Sequence, residues 1–257
     1  KNLKKGNQMN NLLDLSIDFD YFCYEDPIWD WGHNEENDLF RKYAWIARYL
    51  YHQEDLQKII TLDEADFQPC DILERLSGYN IQNQAKTLTV VNSHALAGIV
   101  LANSSADTLL SFDAHIDYWP REGDLINCAN WMRFVTYETI LNVIPSFVSY
   151  KDYSHRPENS RSGHITQIFG DISKYKEYKL NNIFVCKSSD WVPPHMDRYF
   201  IEMVQFLEEN IPDNCSISID EDNMIDRMDN RIFKDLDVNR EKYQKIEKDL
   251  KDKYNAI

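Results

Sequence analysis

Paired cysteines, long apolar runs, Gly/Ser linkers and an excess of basic residues are all missing from this chain, and each absence removes a class of protein. The five cysteines (Cys23, Cys70, Cys128, Cys186, Cys215) are an odd, scattered set with no Cys-x-x-Cys spacing. That argues against a disulfide framework and a thiolate zinc site, and points to a reducing compartment. No apolar stretch approaches the roughly 20 residues that a membrane span requires. The basic start KNLKKGNQMNN runs into LLDLSIDFDYF, which carries aspartates where a signal peptide would carry its apolar segment. A cytoplasmic location is therefore expected. Lys and Arg number 28 against 43 Asp and Glu, a net charge of -15, which disfavours nucleic acid and anionic membrane as partners and suits a cationic one.

What is present suggests one α/β domain over residues 1–257. Apolar residues make up 43% of the chain, enough for a sizeable core, and neither a repeat nor a low-complexity segment divides it. Residues 1–11 are expected to be a flexible tail, and 238–257 a charged, solvent-facing helix. Between them, LLDLSIDFDYF, TLTVVNSH, DTLLSFDAHIDYW, NNIFVCKSSDW and NCSISIDED read as strands. The segments NDLFRKYAWIARYLYHQ, ALAGIVLAN, CANWMRFVTYETILNVI and MDRYFIEMVQFLEEN read as helices. Strands alternating with helices predict a mostly parallel sheet in a three-layer α/β/α sandwich, with ligands at the carboxyl ends of the strands.

The polar clusters fall at those ends. In LLSFDAHIDYW an apolar run delivers Asp113, His115 and Asp117, and strand periodicity places all three on one face. Carboxylates with imidazole and no thiolate suit Mn²⁺, and Fe²⁺ or Zn²⁺ less selectively. His94, closing VVNSH, is a further candidate ligand. Two Asp-x-Asp pairs compete to complete the set, Asp18/Asp20 in SIDFDYF and Asp220/Asp222 in SIDED. The intervening Phe19 suits a covered sheet face, whereas Glu221 is expensive to bury there, which favours Asp18 and Asp20. Asp220, Glu221 and Asp222 are then left for the substrate side, or as replacement ligands.

These words resemble a known family. DAHID is similar to the Asp-Ala-His-x-Asp signature of the arginase and agmatinase ureohydrolases, and SIDED to their Ser-Phe-Asp-x-Asp; their Gly-Gly-Asp before the first histidine is absent ahead of His94. DFDYFCYEDPIW, VVNSH, FDAHIDYW, NCANWMRF and KSSDWVPP together most resemble the arginase-like branch of peptide arginases, which convert arginine in ribosomally made precursor peptides to ornithine. The resemblance implies an arginase/deacetylase-like fold, two Mn²⁺ per chain held by Asp18, Asp20, His94, Asp113, His115 and Asp117, and hydroxide shared by the ions attacking a guanidinium carbon to release urea. Asp117 and His33 are the candidate acid/base groups. Asp220, Glu221, Asp222, Asn130 and Trp31 are candidates for the substrate side, the acidic residues because guanidinium prefers bidentate carboxylates. The expected partner is an arginine-containing precursor peptide. A ureohydrolase for free arginine or agmatine, and a metal-dependent deacetylase, are the competing expectations.

Overall fold

A computed structural model of the chain describes residues 11–23, 45, 48, 68–78, 81–118, 125–143, 165–168, 178–229, 241, 242, 245, 248 and 249, with only the backbone described over 165–168. Among the described residues seven strands form one sheet: β1 (Leu12–Asp18), β2 (Gln82–Val91), β3 (Thr108–Phe112), β4 (Thr139–Val143), β5 (Ile165–Ile168), β6 (Lys179–Cys186) and β7 (Ser216–Ile219). Every pairing is parallel, in the order β5-β4-β3-β1-β6-β2-β7. The expected three-layer α/β architecture is therefore present.

Period-2 alternation assigns the layers. Leu13, Leu15 and Ile17 of β1 join Leu110, Phe112, Ile183 and Val185 in a core closed by α1 (Ile72–Gly78) and α3 (Asp197–Asn210). Helix α3 turns Phe200, Met203, Val204 and Leu207 inward at helical spacing, each contributing roughly 1.5–3 kcal/mol by burial. On the opposite face, Leu109, Ile140, Phe184 and Cys186 pack against α2 (Ala97–Val100), Leu101, Trp131 and Met132. This second face also receives the other residues of β1, namely Asp14, Ser16 and Asp18, all buried. At the far end of the sheet from the ligands, the Asp14 carboxylate accepts bonds from Tyr137 Oη, Asn181 Nδ2, and both Asn182 N and Nδ2. Asn181 is the residue by which β6 bulges where its register against β1 shifts, so Asp14 fastens that irregularity.

Several expectations are corrected. The first strand ends at Asp18, and Phe19–Phe22 turn into a 3-10 helix that carries Asp20 inward. The strand of DTLLSFDAHIDYW stops at Phe112, so Asp113, His115 and Asp117 lie in the turn beyond it and do not share a strand face. The expected helix over CANWMRFVTYETILNVI is absent: Trp131–Arg133 form one 3-10 turn and Thr139–Val143 are strand β4, where the β-branched Thr139, Ile140 and Val143 pair in register with β3. The segment 37–53 is described only at Trp45 and Arg48, both helical. The described positions of the C-terminal segment, 241, 242, 245, 248 and 249, are helical and exposed, and the rest of 238–257, like the expected tail over 1–10, lies outside the described residues. Among the described residues no disulfide links any of the five cysteines, and no helix is long and apolar enough to cross a membrane.

Candidate metal centre

Strand order explains why three distant segments meet. From β1 the chain crosses to β2, returns past β1 to form β3, and later inserts β6 between β1 and β2, so the topological switch falls at the carboxyl end of β1. In open parallel sheets that crevice receives the ligands. Asp18 and Asp20 leave β1 there, His94 follows β2, and Asp113 to Asp117 follow β3.

Two groups of ligand atoms result. Asp18, His94, Asp113 and Asp117, all buried, form the first; Asp20, Asp113 and His115 form the second, and within each group the atoms lie within 4.8 Å of one another. His94 Nδ1 stands 3.0 Å from Asp18 Oδ2, 3.0 Å from Asp117 Oδ2 and 3.2 Å from Asp113 Oδ2. One ring nitrogen cannot serve three carboxylates with one proton, and among the described residues neither His94 Nδ1 nor the buried Asp113 Oδ2 and Asp20 Oδ2 has a hydrogen-bond partner. Neighbouring ligands on a divalent ion with bonds of about 2.1 Å stand about 3 Å apart, so a group with these spacings could hold such an ion. The second group is more open. His115 Nδ1 lies 2.9 Å from Asp20 Oδ2 and 3.7 Å from Asp113 Oδ1, and its side chain is 31% exposed.

The ligands are held from behind. His94 is packed between Trp131, with ring centroids 4.6 Å apart, and Phe184 at 5.9 Å, while its Nε2 meets Ser16 Oγ at 2.8 Å. With Nδ1 facing the carboxylates, Nε2 carries the ring proton and donates to Ser16 Oγ, which fixes tautomer and ring plane. Trp131 Nε1 donates to Asp117 Oδ2 (2.6 Å), and Ser188 Oγ donates to Asp18 Oδ2 (2.7 Å). Gly98 admits Trp131 to this position, since a Cβ there would lie 3.1 Å from the Trp131 carbonyl oxygen and 3.2 Å from its Cβ. We expect Trp131→Phe, which deletes the N–H on Asp117, to weaken divalent-metal binding by about 10–100-fold in a metal titration.

Without a cation the cluster retains protons. Burial, reinforced by the neighbouring Asp117 charge, raises the Asp113 carboxyl to about 7 despite the contact with His94. Burial and the Asp18 charge push Asp20 well above the usual carboxylate range. Burial works against a charged His94, yet the Asp18 charge and the contacts with Asp113 and Asp117 hold its pKa well above the ordinary imidazole value. At Asp18 burial acts upward, but His94, Ser188 and the Asp20 amide outweigh it and the pKa falls. Four carboxylates, two imidazoles and no thiolate make a donor set for a hard or borderline divalent cation.

No protein-family model, curated protein or solved structure matches the chain. The site is therefore read from its own geometry. All six expected ligands converge, and the Asp-x-Asp pair drawn into the groups is Asp18/Asp20. Asp220, Glu221 and Asp222 are exposed at the end of the edge strand β7, with Asp220 capping the 3-10 turn after it and accepting from Asp222 N. Asn130 is corrected: it is 1% exposed and its amide is consumed locally, donating to Leu125 O and accepting from Asn127 N, so it braces the turn before Trp131 and does not face a substrate. His33 and Trp31 lie outside the described residues. Ser16, Trp131 and Ser188 were not anticipated. Ser16 alone had a local signal, two residues before Asp18 and so on the same strand face; the other two reach the site only through the fold.

Proposed function

We propose that this protein is a manganese-dependent hydrolase that converts arginine in a peptide to ornithine and releases urea. One observation carries the reading: Asp113 belongs to both ligand groups, with Oδ2 toward His94 and Oδ1 toward His115. A carboxylate shared in this way would let two cations be held side by side, as in binuclear hydrolases. Two bound divalent ions would supply the Lewis acidity that brings the pKa of a water near neutrality, as attack on a carbon as unreactive as that of guanidinium demands.

The chain's own residues do the rest. Asp18, His94, Asp113 and Asp117 enclose the buried position, and Asp20, Asp113 and His115 the open one, so substrate approaches from the His115 side. Trp131 and Ser188 hold Asp117 and Asp18 in orientation. Asp117, or His33 outside the described residues, carries a proton from the attacking water to the departing amine. Asp220, Glu221 and Asp222 attract the substrate cation to this rim of the sheet, aided by the net charge of -15. These assignments, and the choice of manganese and of two ions, follow the likeness of DAHID and SIDFDYF to ureohydrolase motifs together with the thiolate-free donor set.

Urea release from an arginine-containing peptide and from free arginine by the manganese-loaded protein tests the reading. Urea from the peptide, with each converted residue lighter by the mass of one cyanamide, is expected. Urea from free arginine alone would replace the peptide substrate with a small molecule, and deacetylation without urea would sink the proposal.

A further inference from the structure

The segment KSSDWVPP supplies no ligand to either group, yet it forms a wall beside both. Trp191 is half-buried, and its ring lies 5.3 Å from that of His115 at a tilt of 55°, against the more exposed of the two histidine ligands. Three residues earlier, Ser188 donates to Asp18. One short loop thus touches a ligand of each group.

This loop is unusually well fixed. Lys187 N and Ser188 N donate to Val91 O and Asn92 O, and Trp191 N and Val192 N both donate to Ser188 O. Ser188 adopts a left-handed φ of 47°, a strained conformation for a residue with a side chain. Its surroundings enforce it. The Lys187 ammonium, 2% exposed, donates to Asn223 O and Ile225 O and pairs with Asp197 at 3.1 Å. Arg227 grips Asp197 through Nε and a terminal nitrogen and donates to the carbonyls of Ser189 and Val192. Trp45 Nε1 and Arg48 add bonds to the carbonyls of Ser189 and Asp190. Such bracing exceeds what a surface turn needs, and its result is a fixed backbone from which Trp191 is presented to His115.

We infer that the Trp191 indole is the seat of the substrate's cationic side chain, holding a planar guanidinium against its face beside His115; this rests on the function proposed above. Indole gives the strongest cation–π attraction of the aromatic side chains, and guanidinium stacks on it plane to plane. A neutral seat orients the guanidinium without competing with the ligand carboxylates for the cations. Because the loop is already ordered, binding loses little conformational entropy there.

The test uses a blocked peptide with one arginine, its citrulline counterpart, and manganese-saturated wild-type, Trp191→Phe and Trp191→Leu proteins. The Michaelis constant for the arginine peptide is expected to rise about tenfold in the Leu variant and only a few-fold in the Phe variant, with kcat and bound manganese little changed. Equal constants in wild type and Leu variant would overturn the inference, as would a Leu variant that loses manganese, which would make Trp191 a support for His115. Should the wild type release no urea, the proposed reaction fails, and the calorimetric Kd of the same two peptides still decides the seat. Preference for arginine over citrulline that disappears in the Leu variant supports it, and no preference overturns it.

Discussion

Asp113→Ala is expected to empty both cation positions at once and to lower urea release by at least about a thousandfold, roughly 4 kcal/mol of barrier. The reason is geometric. Asp113 is wholly buried and is the residue common to the two ligand groups, whereas losing Asp117 or His115 strips one group only. Metal analysis of the purified variant should find less than one manganese per chain, against two in the parent. Asp220→Ala, an exposed change outside both groups, should keep the parental content. Asp113→Asn should show a further effect. Since burial and Asp117 disfavour the Asp113 anion, removing the charge should leave the metal-free protein melting no lower than the parent, the behaviour of a site whose function opposes its stability. An Asp113→Ala protein that retains two manganese ions and full activity would refute the shared-ligand arrangement.

The second large effect is on stability against pH. The folded-state pKa of Asp113 is raised from 3.8 to about 7, so the folded chain binds an extra proton between those values and loses stability as pH rises through them. Asp20, also raised, acts in the same direction, and so does His94, whose favourable charge is present below 6.5 and lost as pH climbs through its elevated value. Asp18 is opposite, its contribution being lost only on acidification below 3.8. The part of that rise lying above pH 5 corresponds to roughly 2–3 kcal/mol, and each kcal/mol moves the midpoint of a domain this size by about 2–4 °C. The metal-free protein should therefore melt about 5–10 °C lower at pH 8 than at pH 5. Manganese should reverse the trend, because cations displace those protons and bind more tightly as pH rises; at a thousandfold excess over Kd they add about 4 kcal/mol. A metal-free melting temperature that does not fall between pH 5 and 8 would contradict this account.

Much of the fold was legible because an all-parallel sheet writes itself as β-branched and apolar runs. LLDLSID, TLTVV, TLLSF and NNIFVC each became a strand, and MDRYFIEMVQFLEEN a helix. Strand β4 was not legible: TYETILNV has helix-compatible spacing, and only parallel pairing with β3 makes it extended. The ligand residues were recognisable as chemistry, but their division was not. Periodicity put Asp113, His115 and Asp117 on one strand face, while the strand ends at Phe112 and the turn sends Asp117 to one group and His115 to the other. Trp131 and Ser188 stand 14 and 170 residues from the carboxylates they hold, a relation no local pattern encodes.

The insertion of β6 between β1 and β2 also bears on synthesis. All six expected ligands have been translated by residue 117, yet β1 and β2 do not touch each other in the sheet; Lys179–Cys186 bridges them. His94 and Asp18 are therefore brought into line only by a strand translated some sixty residues later. A nascent chain halted before that strand carries all six expected ligands without the strand that aligns them, so the two groups come together only after Lys179–Cys186 has been made.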